Sequence, residues 1–368
     1  MSDWFATLGL VFGGCCSNAL TLERITSEYP KSGSLITFSQ FLLISLHGLP
    51  KFVTFTPRGP FNIPIPRLKP RRISLTPYLI QVGLFYFVSL LNNFAFGYNI
   101  PMAVHIIFRS GGLVISMLMG WLIIGKSFTI SQVLSVLIVT IGVILTTLSS
   151  HQSHKTMESS SFEPPTSLYL TGIAILTLAL VLSGFLGLVQ ERTYASYAKR
   201  VSGPPKEAKT TSPTTTIKAV EFRDAWEESM FYLHFLSLPM FFFVRKDILA
   251  QVEALLFSPR SSTSTFYLPL LATQITLPAV FPALLANTLT QLICAAGANR
   301  LTTRVPTLTV TLVLVVRKAV SLVLSVVLFD GSDGDVRWWM LWTGAFFVFA
   351  GTVGYTVSGK GKGSVKLG

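Results

Sequence analysis

VPTLTVTLVLVVRKAVSLVLSVVLF, residues 305–329, is long and apolar enough to cross a bilayer, yet Arg317 and Lys318 stand near its middle. IPMAVHIIFRSGGLVISMLMGWLIIG, residues 100–125, shows the same anomaly with Arg109. A cation at that depth costs several kcal/mol unless it faces a polar space, so it marks a functional site by default. The ligand that such cations accept is an anion, and a phosphate fits best. A guanidinium grips two phosphate oxygens at once, whereas an ammonium acts as a point charge.

The rest of the chain says that lipid is the solvent. Of 368 residues, 50% are hydrophobic and only 12% charged, against roughly 25% charged in soluble domains. The net charge of +13 sits in the loops between apolar stretches, which argues against a nucleic-acid partner. Cys15, Cys16 and Cys294 all fall in apolar segments. The adjacent pair makes no staple and no zinc spacing occurs, so the three read as small packing residues. No cleavage motif follows the first apolar stretch, which reads as a first transmembrane helix serving as an uncleaved signal.

Ten segments are apolar over membrane length: 4–22, 33–52, 77–97, 100–124, 128–149, 168–190, 229–246, 273–297, 303–329 and 337–357. The expected fold is an all-α membrane protein of ten transmembrane helices. The connection 51–76, rich in Pro and Arg, reads as loop; 191–228, rich in Lys, Thr and Ser, reads as a mobile cytosolic linker. With the amino terminus in the cytosol, nineteen Lys and Arg fall on the cytosolic side and seven opposite. That bias puts both termini in the cytosol.

The chain also echoes itself. ALTLERITSEY (19–29) aligns with GLVQERTYASY (187–197), setting Glu23 over Glu191, and Phe108-Arg109-Ser110 matches Val316-Arg317-Lys318. Both matches keep one order, implying a first five-helix repeat at 1–150 and a second at 151–368. An odd number of helices per half forces opposite orientations. The expectation is two inverted five-helix repeats, with a substrate site near the midplane between them.

Counting 100° per residue, Thr303, Thr307, Thr311, Lys318, Ser321 and Ser325 share one side of the ninth span, a hydroxyl stripe around a cation. Such hydroxyls serve equally to bond a neighbouring helix, at about 0.6 kcal/mol each. His105, Arg109, Gly112 and Ser116 share one face of the fourth span, so Arg109 and Lys318 are expected to converge on one wet space. Two or three cations suit a diphosphate. No Asp or Glu lies inside a span to form a structural ion pair with them; Glu23 and Glu191 stand at span ends. In LLNNFAFGYNIPM (90–102), Asn93, Tyr98 and Asn99 approach a Pro-broken junction, where they either read a base or sugar or cap a helix end. His105 either packs or touches ligand. No GxSxG, HExxH or P-loop occurs, and an enzyme would need acid–base groups that the interior lacks. No metal or cofactor is expected.

Three blocks, FGGCCSNALTLERI (12–25), LNNFAFGYNIPMAVHIIFRSGGLVISMLMGW (91–121) and LTTRVPTLTVTLVLVVRKAVSLVLSVVLF (301–329), resemble the UAA family of nucleotide-sugar transporters. This family belongs to the drug/metabolite transporter superfamily, and the likeness is greatest to carriers of UDP-N-acetylglucosamine, some of which also carry UDP-xylose. The resemblance implies an antiporter that moves such a UDP-sugar from the cytosol into the Golgi or endoplasmic reticulum lumen in exchange for UMP. It implies that Arg109, Arg317 and Lys318 bind phosphates, and Glu23 in the first block completes the candidate set. The partners expected are UDP-sugar, UMP and the bilayer, with a homodimer as a candidate assembly. An exporter of another small metabolite or organic phosphate on the same ten-helix frame is the alternative. A membrane scaffold without transport leaves the buried cations unexplained.

Overall fold

The computed structural model describes residues 2–29, 32–58, 63–71, 73–95, 111–151, 166–202, 225–257, 263–268, 273–278, 280–325 and 338–360. Helix α1 (Ser2–Gly9) runs through a π turn (Leu10–Gly14) into α2 (Cys15–Glu28). Helix α3 (Gly33–Phe52) leads through a hairpin, β1 (Val53–Arg58) and β2 (Ile63–Leu68), to α4 (Leu75–Ala95). Next come α5 (Gly112–Ile124), α6 (Ile130–His151) and α7 (Thr166–Ser202). Helix α8 (Ala225–Ser237), a 3-10 turn (Leu238–Phe242) and α9 (Arg245–Leu256) follow. A second hairpin, β3 (Thr263–Leu268) and β4 (Thr273–Pro278), precedes α10 (Val280–Thr302), α11 (Thr307–Ser325) and α12 (Trp338–Lys360).

Among the described residues, six helical stretches are long and apolar enough to cross a membrane: Asp3–Thr26, Leu75–Asn92, Ile130–Ser149, Leu170–Tyr197, Val280–Thr302 and Trp338–Ser358. Ile130, Trp339 and Phe349 are 81%, 66% and 68% exposed. Large apolar side chains exposed to this degree on membrane-length helices face lipid rather than water. The protein is a multi-pass, all-α membrane protein.

Lipid supplies no hydrophobic drive between helices, so close backbone packing has to hold them together. Glycines provide it. A Cβ on Gly344 of α12 would lie 2.7 Å from the Gly142 carbonyl oxygen of α6, and one on Gly351 would lie 2.8 Å from the Ser135 carbonyl oxygen. The seam between α2 with its π turn and α10 is built alike: Gly14 abuts the Cys294 nitrogen and Gly297 abuts the Val11 nitrogen, each at 2.8 Å from a would-be Cβ. Cys15 and Cys294 are joined there by a disulfide, with Cα atoms 4.5 Å apart. This corrects the view of all three cysteines as packing residues; only Cys16 stays a buried free thiol among the described residues.

Four expectations change. The segment 51–76 is not all loop: Val53 to Arg58 pairs antiparallel with Leu68 to Ile63. The presumed eighth span is shorter than 273–297 at its start, since Thr273–Pro278 is a strand paired with Thr263–Leu268 and the helix begins at Val280. β-branched residues in TQITLP and the break at Pro278 explain the strand. The seventh span, expected at 229–246, is α-helical only to Ser237, because Pro239 at the start of the 3-10 turn has no N–H to continue the ladder. An unforeseen helix, α9, then packs Ile248 and Leu255 against Ile25, Leu35, Ile36 and Val280. Finally, α7 carries on to Ser202 and α8 starts at Ala225, so both ends of the expected linker 191–228 are helical. Residues 203–224 lie outside the described set.

Candidate functional site

The site is organised by where two helices begin and end. Helix α5 stops at Gly125, whose φ of 71° is reached without strain only by glycine. The Lys126 N–H then closes back on the Gly120 carbonyl at 3.0 Å. This turn sets the Lys126 ammonium against the Glu191 carboxylate of α7. Helix α11 begins immediately after Pro306, and no side chain of its own receives its first N–H. Glu191 Oε2 does so instead, accepting from the Thr307 N–H at 3.0 Å. A carboxylate there also meets the positive end of the helix dipole. One acidic residue thus ties together α5, α7 and α11.

Further along α11 the adjacent cations part company. Lys318 is exposed in a cavity of about 220 Å³ whose lining includes Val88 and Asn92 of α4, Gly112 of α5, and Ala179 and Ser183 of α7. Arg317 is half-buried, and its Nε has no hydrogen-bond partner among the described residues. Ser321, one turn on from Arg317, donates to Cys16 Sγ of α2 at 3.2 Å. The pair therefore addresses two sides of α11: Lys318 the cavity, Arg317 the α2 side.

The hydroxyl stripe serves mainly as helix glue. Thr303 bonds the Arg300 carbonyl, Thr307 donates to the Gly187 carbonyl of α7 at 2.8 Å, and Thr311 lies 3.4 Å from the Ser116 hydroxyl of α5. Among the described residues, none of Thr303, Thr307, Thr311 and Ser321 lines the Lys318 cavity. Glu23 is exposed on α2, outside that lining. Arg109, Tyr98, Asn99 and His105 lie outside the described residues; Asn93 is in the last turn of α4, its side chain not described.

Ser183 and the Lys126–Glu191 pair were not among the sequence candidates for the site, and of the two Asn in LLNN it was Asn93 rather than Asn92 that was put forward. Neighbouring residues on a helix point about 100° apart, so choosing between Asn92 and Asn93 required knowing the face of α4. Glu191 did carry a signal, its alignment with Glu23, and Pro306 marks the helix start that it serves.

Polar groups elsewhere converge as well. Asn287 of α10, fully buried, donates to Asn18 Oδ1 at 3.0 Å and Thr21 Oγ1 at 3.1 Å, and accepts from Gln40 Nε2 at 2.7 Å. Besides Lys126–Glu191, the ion pairs among the described residues are Lys51–Glu227 at 2.8 Å, Arg300–Asp3 at 3.0 Å and Arg304–Asp3 at 2.7 Å. Every one of them joins a residue before position 150 to one after it.

Residues 4–203 and 214–359 match the UAA transporter family. The chain is 36% identical to the UDP-N-acetylglucosamine transporter YEA4 of Saccharomyces cerevisiae, across 94% of this chain and 93% of that protein. It is 35% identical to the endoplasmic reticulum GDP-fucose transporter of Drosophila melanogaster, across 95% of this chain and 89% of that one. A solved crystal structure shares the fold with a TM-score of 0.53, covering 96% of this chain and 97% of its own, at 14% identity. This chain is a transporter rather than an enzyme, and it belongs to the UAA transporter family.

Proposed function

We propose that the protein exchanges a UDP-sugar, UDP-N-acetylglucosamine or UDP-xylose, for UMP across the Golgi or endoplasmic reticulum membrane. The observation that carries this is Lys318 exposed in a cavity between α4, α5, α7 and α11. The ammonium offers a phosphate a counter-charge, Asn92 and Ser183 offer hydrogen bonds, and Gly112 stands three positions after Arg109 in the chain. The substrate named for the yeast relative and the compartment named for the fly relative support the ligand and the membrane.

The carrier works by alternating access on a frame of two inverted five-helix repeats. Two features support that arrangement. In each half the second and third spans are joined through a hairpin of two six-residue strands, β1–β2 and β3–β4. Helix pairings also come in exchanged sets: α2 packs on α10 as α7 packs on α4, and α11 on α2 as α5 on α7. Both termini face the cytosol, as the Lys and Arg bias requires. Residues 1–150 and 151–368 are the halves, and Glu191 holds the cytosolic side shut. A bound anion relieves repulsion among the cations proposed to hold it, so the loaded carrier changes state more readily than the empty one. In vesicles preloaded with UMP, Lys318→Ala abolishes uptake of labelled UDP-N-acetylglucosamine; near-normal uptake overturns the proposal.

A further inference from the structure

The β1–β2 hairpin is a two-stranded sheet, a unit too small to be stable in water without a surface to lie on. The rest of the protein supplies little of one. The adjacent core cluster takes Phe52 before the hairpin and Ile73 after it, but neither Val53 nor Leu68 joins it, and Leu68 is 45% exposed. Lys69, just past β2, closes the hairpin onto the end of α3: its N–H donates to the Phe52 carbonyl at 2.9 Å. Val53 follows directly on α3, the expected second span, so the strands start at the edge of the bilayer.

The register sorts the hairpin into two faces. Val53–Leu68, Phe55–Pro66 and Pro57–Pro64 occupy one set of alternate rungs, and Thr54–Arg67, Thr56–Ile65 and Arg58–Ile63 the other. Successive rungs of a ladder belong to opposite faces. One face is thus composed of apolar residue types alone, while the other carries Thr54, Thr56, Arg58 and Arg67. Residues 51–72 hold six Lys and Arg and no acidic residue. Lys51 is paired with Glu227, and Arg71 lies over the Tyr232 ring at 5.6 Å. Arg67 is exposed and meets no carboxylate among the described residues. The β3–β4 hairpin, at the corresponding place in the second half, makes a contrast: residues 263–278 carry no charge of either sign. In the topology proposed above, the basic hairpin is cytosolic and the uncharged one luminal. The cytosolic leaflet has the negative surface potential, which attracts basic segments beside a span. An acidic protein would answer the charge too, but it would leave the all-apolar face unexplained.

We infer that the β1–β2 hairpin lies in the cytosolic leaflet of the membrane, its apolar face toward the acyl chains and its basic face among anionic phospholipid headgroups. The test uses the full-length chain in vesicles with the same lipids in both leaflets, so the result does not depend on which way the protein inserts. An environment-sensitive fluorophore is attached at Leu68→Cys; the wild-type chain, whose free thiol Cys16 is buried, gives the background. Adding phosphatidylserine to phosphatidylcholine vesicles moves the fluorophore into lipid, read as a blue shift and as quenching by nitroxide-labelled acyl chains, and salt reverses the change. Neutralising Arg67 and Lys69 with Arg67→Gln and Lys69→Gln lowers the docked fraction's ratio to the undocked about fivefold for each charge. A fluorophore at Ser264→Cys, on the uncharged hairpin, does not respond to lipid charge. Equal emission and quenching in neutral and acidic vesicles overturns the inference, and so does a response at Leu68→Cys that survives loss of both charges. An equal response at Ser264→Cys overturns the part given to charge. A shift produced by an acidic peptide but not by acidic vesicles assigns the surface to a protein instead. None of these results bears on Lys318, so the transport reading stands or falls separately.

Discussion

Glu191 is expected to set how often the cytosolic side opens, and the cost of losing it can be worked out from its contacts. The Lys126 and Glu191 side chains are 32% and 20% exposed, so water screens the pair; such pairs contribute about 0.5–1 kcal/mol. The Thr307 N–H loses its acceptor too, which at a helix start costs about 1 kcal/mol. Glu191→Ala therefore weakens closure by about 1.5–2 kcal/mol. Glu191→Gln keeps an oxygen for Thr307 and loses only the charge, about 0.5–1 kcal/mol. With a factor of ten for each 1.4 kcal/mol, the open population rises about tenfold to thirtyfold for Ala and about threefold for Gln. A cysteine at Ser116, which faces Thr311 beneath this contact, reports the change. In sealed microsomes, a membrane-impermeant maleimide applied from the cytosol labels it fastest in the Ala variant and at an intermediate rate in the Gln variant. Unchanged labelling in Glu191→Ala refutes the closure, and equal rates in the two variants refute the share given to Thr307.

Other expectations concern what holds the helices together. Asn287→Leu strands Asn18, Thr21 and Gln40; at about 0.6 kcal/mol per bond the loss is about 2 kcal/mol, seen as a lower thermal midpoint in detergent. Gly344→Val drives a side chain into the backbone of Gly142 and Thr146, which cannot yield, and costs more than about 3 kcal/mol. Gly83→Ala, with nothing within 4 Å of its new Cβ, leaves the midpoint unchanged or raised. Reducing Cys15–Cys294 lowers the midpoint by the equivalent of about 2–4 kcal/mol. Without reductant both thiols resist alkylation, and mass spectrometry finds the two peptides linked.

The six spans found among the described residues were legible because lipid imposes a simple rule on length and polarity. The Arg317–Lys318 anomaly was legible for the same reason, since no other charge stands in VTLVLVVRKAVSLVL. What the sequence hid were facts about partners rather than about elements. Thr307, Thr311 and Ser321 share a face with Lys318, but whether a hydroxyl meets water or a neighbouring helix depends on where α5, α7 and α2 lie. Cys15 and Cys294 are 279 residues apart, and no spacing rule connects them. Strand β4 was read as the start of a span because a short apolar, Thr-containing strand and a helix end look alike over six residues.

Because Cys15 and Cys294 share a covalent bond, α2 and α10 travel together, although one lies in residues 1–150 and the other in 151–368. Backbone contact at Gly14 and Gly297 stiffens that union. In the alternating access proposed above, the plane of flexing therefore does not coincide with the division at position 150; it cuts crosswise, with this welded pair on one lever arm.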